Sequence, residues 1–160
     1  MIKIKIITAG KLKEKYLVDG INEYTKRMKS FAKLEFYEVV DQSIPEHCSL
    51  AQEEIIRVKE GKNLLSKVKN DDYVILLDIN GTQLSSIALA NYIEELAVNG
   101  ISSIVFMIGG SLGVSEEVKN RADYKLSFSK MTFPHQLMKL ILMEQIYRCF
   151  KIINNQEYHK

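Results

Sequence analysis

Glu144 and Arg148 stand four residues apart, acid first, in a stretch from Leu137 to Phe150 that is otherwise mostly apolar. That order suits an ion pair on one helix face, and a charge among apolar neighbours needs a partner or a task. The planar guanidinium of Arg148 is suited to clamp a phosphate or a carboxylate. A surface pair contributing little is the alternative. Ten residues on, the chain ends Tyr158-His159-Lys160. A phenol and an imidazole can move protons, although chain ends fray unless tied down. Cys48 and Cys149 are the only cysteines and His47, His135 and His159 the only histidines. That set is too sparse for a disulfide framework or a metal quartet, so no metal is expected. His135, next to Pro134, reads as a helix-start residue that caps.

Three loops could bind a ligand. The apolar run Ile104-Val105-Phe106-Met107-Ile108 enters Gly109-Gly110-Ser111-Leu112-Gly113, where missing side chains let backbone approach a ligand. Its spacing matches neither the dinucleotide fingerprint nor the P-loop, and a structural tight turn is equally open. Leu76-Leu77-Asp78-Ile79-Asn80-Gly81 is another strand entering a glycine turn, and Leu126 to Phe133 is a third strand end. Parallel sheets bind ligands at the carboxyl ends of their strands. Leu77, Phe128, Met131 and Phe133 suit a ligand with a flat ring and a thioether-like body, or else simply join the core.

These loops need elements to carry them. Apolar runs at 2–8, 34–40, 73–79, 103–108 and 124–128 read as strands. Leu12 to Met28 reads as a helix with Leu12, Tyr16, Ile21 and Tyr24 on one side. Ser49 with Gln52 forms a capping box for a helix to about Val68, and Ser85 caps one through Ala97. Ser115 with Glu116 and Glu117 starts a short helix, and Pro134 opens a last one to Ile153. The alternation gives an α/β fold with a largely parallel sheet flanked by helices, in one domain spanning 1–160. The last helix is apolar nearly all round, which favours a homodimer over a fully internal helix.

Composition narrows the class. Of 160 residues 46% are hydrophobic and 26% charged, as in ordinary globular domains. No apolar run reaches membrane-spanning length. The alternating start, Ile2-Lys3-Ile4-Lys5-Ile6, is a strand rather than a signal peptide, so a cytoplasmic protein is expected. Residues 1–30 carry eight Lys/Arg against three Asp/Glu, residues 31–114 six against twelve, and residues 115–160 eight against five. Basic ends around an acidic middle could meet a polyanion, and a solvated mixed surface is the alternative.

The chain resembles the RlmH family of SPOUT-superfamily methyltransferases, which act on large-subunit ribosomal RNA. The likeness runs over essentially the whole chain. It is carried by Ile6-Ile7-Thr8-Ala9-Gly10-Lys11-Leu12-Lys13, Tyr24-Thr25-Lys26-Arg27, Leu77-Asp78-Ile79-Asn80-Gly81, Phe106 to Gly113, Leu126 to His135, Glu144 to Arg148 and Tyr158-His159-Lys160. Thr82, Ile87 and Asn155 depart from the common Lys, Glu and Gly of relatives; Asn tolerates the left-handed backbone that glycine would supply.

The resemblance implies a deep C-terminal trefoil knot holding S-adenosylmethionine on three loops. By position the cofactor-binding residues are Leu77, Gly109, Phe128, Ser129, Lys130, Met131, Thr132 and Phe133. It also implies a homodimer that methylates N3 of a pseudouridine in 23S rRNA of the assembled ribosome. His159 or Tyr158 would position or deprotonate the base, Arg148 would hold phosphate or a developing oxyanion, and Glu144 would orient Arg148. Lys11, Lys13, Lys15, Lys130 and Lys160 would meet RNA. Two rivals are a non-catalytic RNA- or ribosome-binding module of the same fold, and an enzyme whose glycine loop holds a different nucleotide's phosphate.

Overall fold

A computed structural model describes residues 1–160. Five strands and five helices alternate: β1 (Lys3–Ala9), α1 (Lys15–Met28), β2 (Lys33–Val39), α2 (Leu50–Leu65), β3 (Tyr73–Gln83), α3 (Ser86–Val98), β4 (Ser103–Ile108), α4 (Glu116–Arg121), β5 (Tyr124–Ser127) and α5 (His135–Ile153). The strands pair in the order β2-β1-β4-β3-β5, every pairing parallel. Parallel order requires a crossover between successive strands, and α1 to α4 supply the four.

Alternate strand residues feed two cores. Ile4, Ile6, Ile75, Ile104, Phe106 and Ile108 pack with α1, α3 and α5, while Ile7, Val74, Leu76, Val105 and Met107 face Leu64 of α2 and Val118 of α4. Helix starts follow the serine signals. Ser49 Oγ accepts from Gln52 N–H at 3.2 Å and Ser49 N–H donates to Gln52 Oε1 at 2.9 Å, completing a capping box. Ser85 and Ser115 cap α3 and α4.

Two expectations change. α1 begins at Lys15, and Leu17, Ile21 and Met28 face inward while Tyr16 is 66% exposed. Residues 17, 21 and 28 follow the 3.6-residue helical period, and Tyr16 lies about 100° off that stripe. In addition, β3 does not stop at its glycine. Leu126 of β5 pairs with both Leu77 and Thr82, so residues 78–81 bulge out before the strand resumes. Gly81 permits this, since a Cβ there would lie 2.6 Å from the carbonyl oxygen of Lys125.

No residue of α5 is exposed, because α1, α3 and the sheet surround much of it. Its all-round apolarity is thus largely accounted for within one chain, which is the alternative first weighed for that helix. At the amino ends of the strands a buried polar knot replaces apolar packing. Lys5 Nζ donates to Asp72 Oδ2 at 2.8 Å, Lys69 N–H donates to the same oxygen, and Ser103 Oγ donates to Oδ1 at 2.7 Å. Both side chains of the ion pair are 2% exposed.

Candidate active site

The carboxyl ends of β3, β4 and β5 open onto a cleft of about 150 Å³, lined by Leu77, Asp78, Ile79, Ile108, Gly109 and Leu126 on the strand side. Phe128, Ser129, Met131, Thr132 and Phe133 of the loop after β5 close another side, and His135 and Met138 of α5 a third. The glycine loop is a tight turn, with Gly113 N–H bonded to Gly110 O at 3.1 Å and Gly113 at φ +80°. Seven of the eight residues expected to hold a cofactor therefore meet in one place. Lys130 is the exception. It points to a neighbouring groove with Ile79, Asn80, Gly81 and Gln83, because the two-residue turn from Ser129 Oγ to Met131 N–H directs it outward.

Asp78, Ile79, Ile108 and Leu126 of the three strand ends also line the cleft, while His135 and Met138 were not expected there. Asp78 and Ile79 directly follow Leu77, so the strand-end position was their signal. His135 caps nothing, since the α5 N-cap residue is Pro134 and makes no side-chain bond. Its Nε2 and the Thr8 hydroxyl are buried without a hydrogen-bond partner, and a polar atom so placed is costly unless something satisfies it.

Arg148, Glu144, Tyr158 and His159 also meet, but elsewhere on α5. Glu144 Oε1 accepts from Arg148 Nε at 3.0 Å, from Arg148 Nη2 at 2.5 Å and from the Tyr158 hydroxyl at 3.1 Å. Gln145 Nε2 donates to Glu144 Oε2 at 2.7 Å. Arg148 lies over the Tyr158 ring at 4.7 Å, and its Nη1 is 3.2 Å from His159 Nδ1. A guanidinium only donates, so that contact assigns the lone pair to Nδ1 and the proton to Nε2. The tail turns through Asn155 at φ +52°, the left-handed conformation expected of that Asn. Tyr158 packs edge-on to Tyr147 at 4.9 Å. The tail is tied down.

Burial, with hydrogen bonds to Tyr24 and Glu144, pushes the Tyr158 phenol up to about 12. It stays protonated at neutral pH, so it suits a donor and positioner and not a base. The Glu144 bond, and burial acting against it, leave the Arg148 guanidinium above its ordinary value. Burial pushes the Cys149 thiol up to about 12, so it is inert.

Met138 of the cleft and Glu144 of the cluster stand six residues apart on α5, about 9 Å along the helix. Arg148, Glu144, Tyr158 and His159 are not among the residues that line the cleft.

A family model described as "Predicted SPOUT methyltransferase" matches residues 2–159. The chain belongs to the SPOUT methyltransferase family. Its membership covers the cleft and the tail alike, and a methyl donor is what an enzyme of this family requires. The chain is 55% identical over 159 residues to a ribosomal RNA large subunit methyltransferase H of Clostridioides difficile (strain 630), covering 99% of this chain and 100% of that protein. Proteins of the same description from Alkaliphilus oremlandii (strain OhILAs) and Enterococcus faecalis (strain ATCC 700802 / V583) are 56% and 50% identical over the same spans. A solved structure described as a probable methylase family protein from Haemophilus influenzae Rd KW20 matches with a TM-score of 0.50 at 13% identity, covering 99% of this chain and 70% of that one. That likeness speaks to the fold alone.

Proposed function

We propose that this SPOUT methyltransferase transfers a methyl group from S-adenosylmethionine to N3 of a pseudouridine in 23S rRNA, working on the assembled ribosome. The observation that carries the reading is the cleft formed where three strand ends meet, in a chain of this family. Relatives at 50–56% identity carry the ribosomal RNA description, which supports the substrate.

The residues present fit such a donor. Leu77, Ile79, Phe133 and Met138 offer apolar walls for a flat base, and Gly109 offers backbone without a Cβ. The Asp78 carboxylate offers a polar group for the amino-acid end. When bound, the donor supplies an electrophilic methyl on a sulfonium. The protein's task is then alignment and proton removal from an imide N–H that is protonated at neutral pH. His159 accepts that proton on Nδ1 once Arg148 Nη1 leaves it, Arg148 turns to hold the developing oxyanion or an RNA phosphate, Glu144 fixes Arg148, and Tyr158 braces both. Lys11, Lys13 and Lys15 near one end of the chain, with Lys130 and Lys160, meet RNA phosphates, and cytoplasmic ribosomes are the setting.

The separation along α5 supports a homodimer in which the tail of one protomer completes the cleft of another, since reacting groups must come within about 3–3.5 Å. The threading of β5 and α5 as a deep trefoil knot belongs to the same proposal. It is supported by α5 returning from the sheet edge to lie against α3 and α1.

Ribosomes lacking the modification, incubated with the protein and donor, are expected to yield N3-methylpseudouridine in 23S rRNA fragments by mass spectrometry. Methyl-free rRNA alongside tight ribosome binding would favour the non-catalytic module instead. The shared site has its own test: a tail-deleted variant and a Gly109→Val variant, each inactive alone, should recover activity when mixed. Recovery absent after verified subunit exchange would contradict it.

A further inference from the structure

The Gly109–Gly113 turn is gripped from behind by α2, through contacts that the proposed reaction does not use. Glu60 and Arg57 stand three residues apart on that helix. Glu60 Oε1 accepts from Gly110 N–H at 3.1 Å, and Glu60 Oε2 accepts from Gln42 N–H at 3.4 Å. Arg57 Nη1 donates to Leu112 O at 3.4 Å. One side chain thus holds a donor at the start of the turn, and its neighbour holds an acceptor near the end.

The fit is close. A Cβ on Gly110 would lie 2.6 Å from Glu60 Oε1, and one on Gly61 would press on Ser115 and Val118, which begin α4 beyond the turn. On the cleft side, Gly109 forms part of the wall, while Ser111 and Leu112 back onto Asp41, Arg57 and Glu60. The turn is a thin partition between the two.

A carboxyl 5% exposed is expensive to bury, and its usual remedy, a salt bridge, is absent here. Arg57 is spent on Glu53 and Glu54 at 3.6 and 3.0 Å. The partners of Glu60 are two backbone N–H groups and the neighbouring Asp41 carboxyl. Burial first, and then Asp41, push the Glu60 carboxyl above its ordinary range. Its position makes sense as a holder of backbone.

We propose that Glu60 is a positioning residue for donor binding, setting through Gly110 the shape of the Gly109 wall. The proposal rests on the cleft being the donor site. Donor-bound and donor-free forms differ in how much they need that wall, so loss of Glu60 raises the donor KM and dissociation constant and spares the chemical step.

Titration calorimetry with S-adenosylhomocysteine and steady-state methylation of ribosomes test this on the full chain. Glu60→Ala is expected to weaken the product analogue and raise the donor KM by about tenfold or more, as loss of a buried acceptor implies. Its kcat at saturating donor should stay within about twofold of wild type. Glu60→Gln keeps one oxygen for Gly110, gives up only the longer 3.4 Å bond from Gln42 N–H, and should return both constants to within about threefold. Should Glu60→Ala fail to fold, Glu60→Asp, one methylene too short to reach Gly110, carries the same expectation. Wild-type protein that binds no analogue would overturn the reading of the cleft and the proposal with it. Wild-type binding matched by Glu60→Ala or Glu60→Asp, a loss confined to kcat, or a Glu60→Gln as weak as Glu60→Ala, would overturn the proposal alone.

Discussion

Asp72→Ala is expected to lower the unfolding free energy by about 3–5 kcal/mol, the cost of leaving a buried charge without its partner. The stranded charge is the Lys5 ammonium, 2% exposed and 2.8 Å from the carboxylate it would lose. Ser103 Oγ and Lys69 N–H would lose their acceptor as well. Burial pushes the Asp72 carboxyl up, but the bonds from Lys5, Lys69 and Ser103 outweigh it and hold the group below its ordinary range. The sign follows. A carboxyl with a depressed folded pKa contributes stability above its unfolded pKa of about 3.9. That contribution is lost as pH falls through the lower folded value. Chemical denaturation at neutral pH measures the loss, and thermal melts below pH ~4 show its acid limb, which Asp72→Asn should flatten. A change under about 1 kcal/mol at neutral pH would mean the pair is dispensable.

The largest functional effect is expected at His159, the proposed proton acceptor. Removing a general base costs about 10²- to 10⁴-fold, and His159→Ala should lower the single-turnover methylation rate within that range. Donor binding should change by less than about threefold, because uniform binding and chemistry are separable losses. Tyr158→Phe removes only the hydroxyl that donates to Glu144 Oε1. It is expected to cost about tenfold, in line with one charge-assisted hydrogen bond. A Tyr158→Phe defect equal to that of His159→Ala would reverse the two roles. Unchanged rates in both variants would leave the tail no part in the chemistry.

The elements of this fold are legible because most strands are short β-branched or aromatic runs and three of the five helices open on a capping serine. Ser49, Ser85 and Ser115 all cap helices where the pattern placed them. Leu77, Gly109 and the Phe128–Phe133 loop met because strand ends in a parallel sheet share one rim. What escaped depended on contacts distant in sequence. The return of β3 at Thr82 is set by its pairing with Leu126, 44 residues on. The hold of Glu60 on Gly110 spans 50 residues and leaves no local periodicity. Tyr16 misled because an aromatic residue near an apolar stripe looks like part of it. His135 was read as a cap because a helix start and a cleft edge coincide there.

A crystal structure of the protein with S-adenosylhomocysteine shows whether the three-strand rim holds the methyl donor. The ligand is expected between Leu77, Gly109 and the loop from Phe128 to Phe133. Ligand seated anywhere else, with that rim empty, would contradict it.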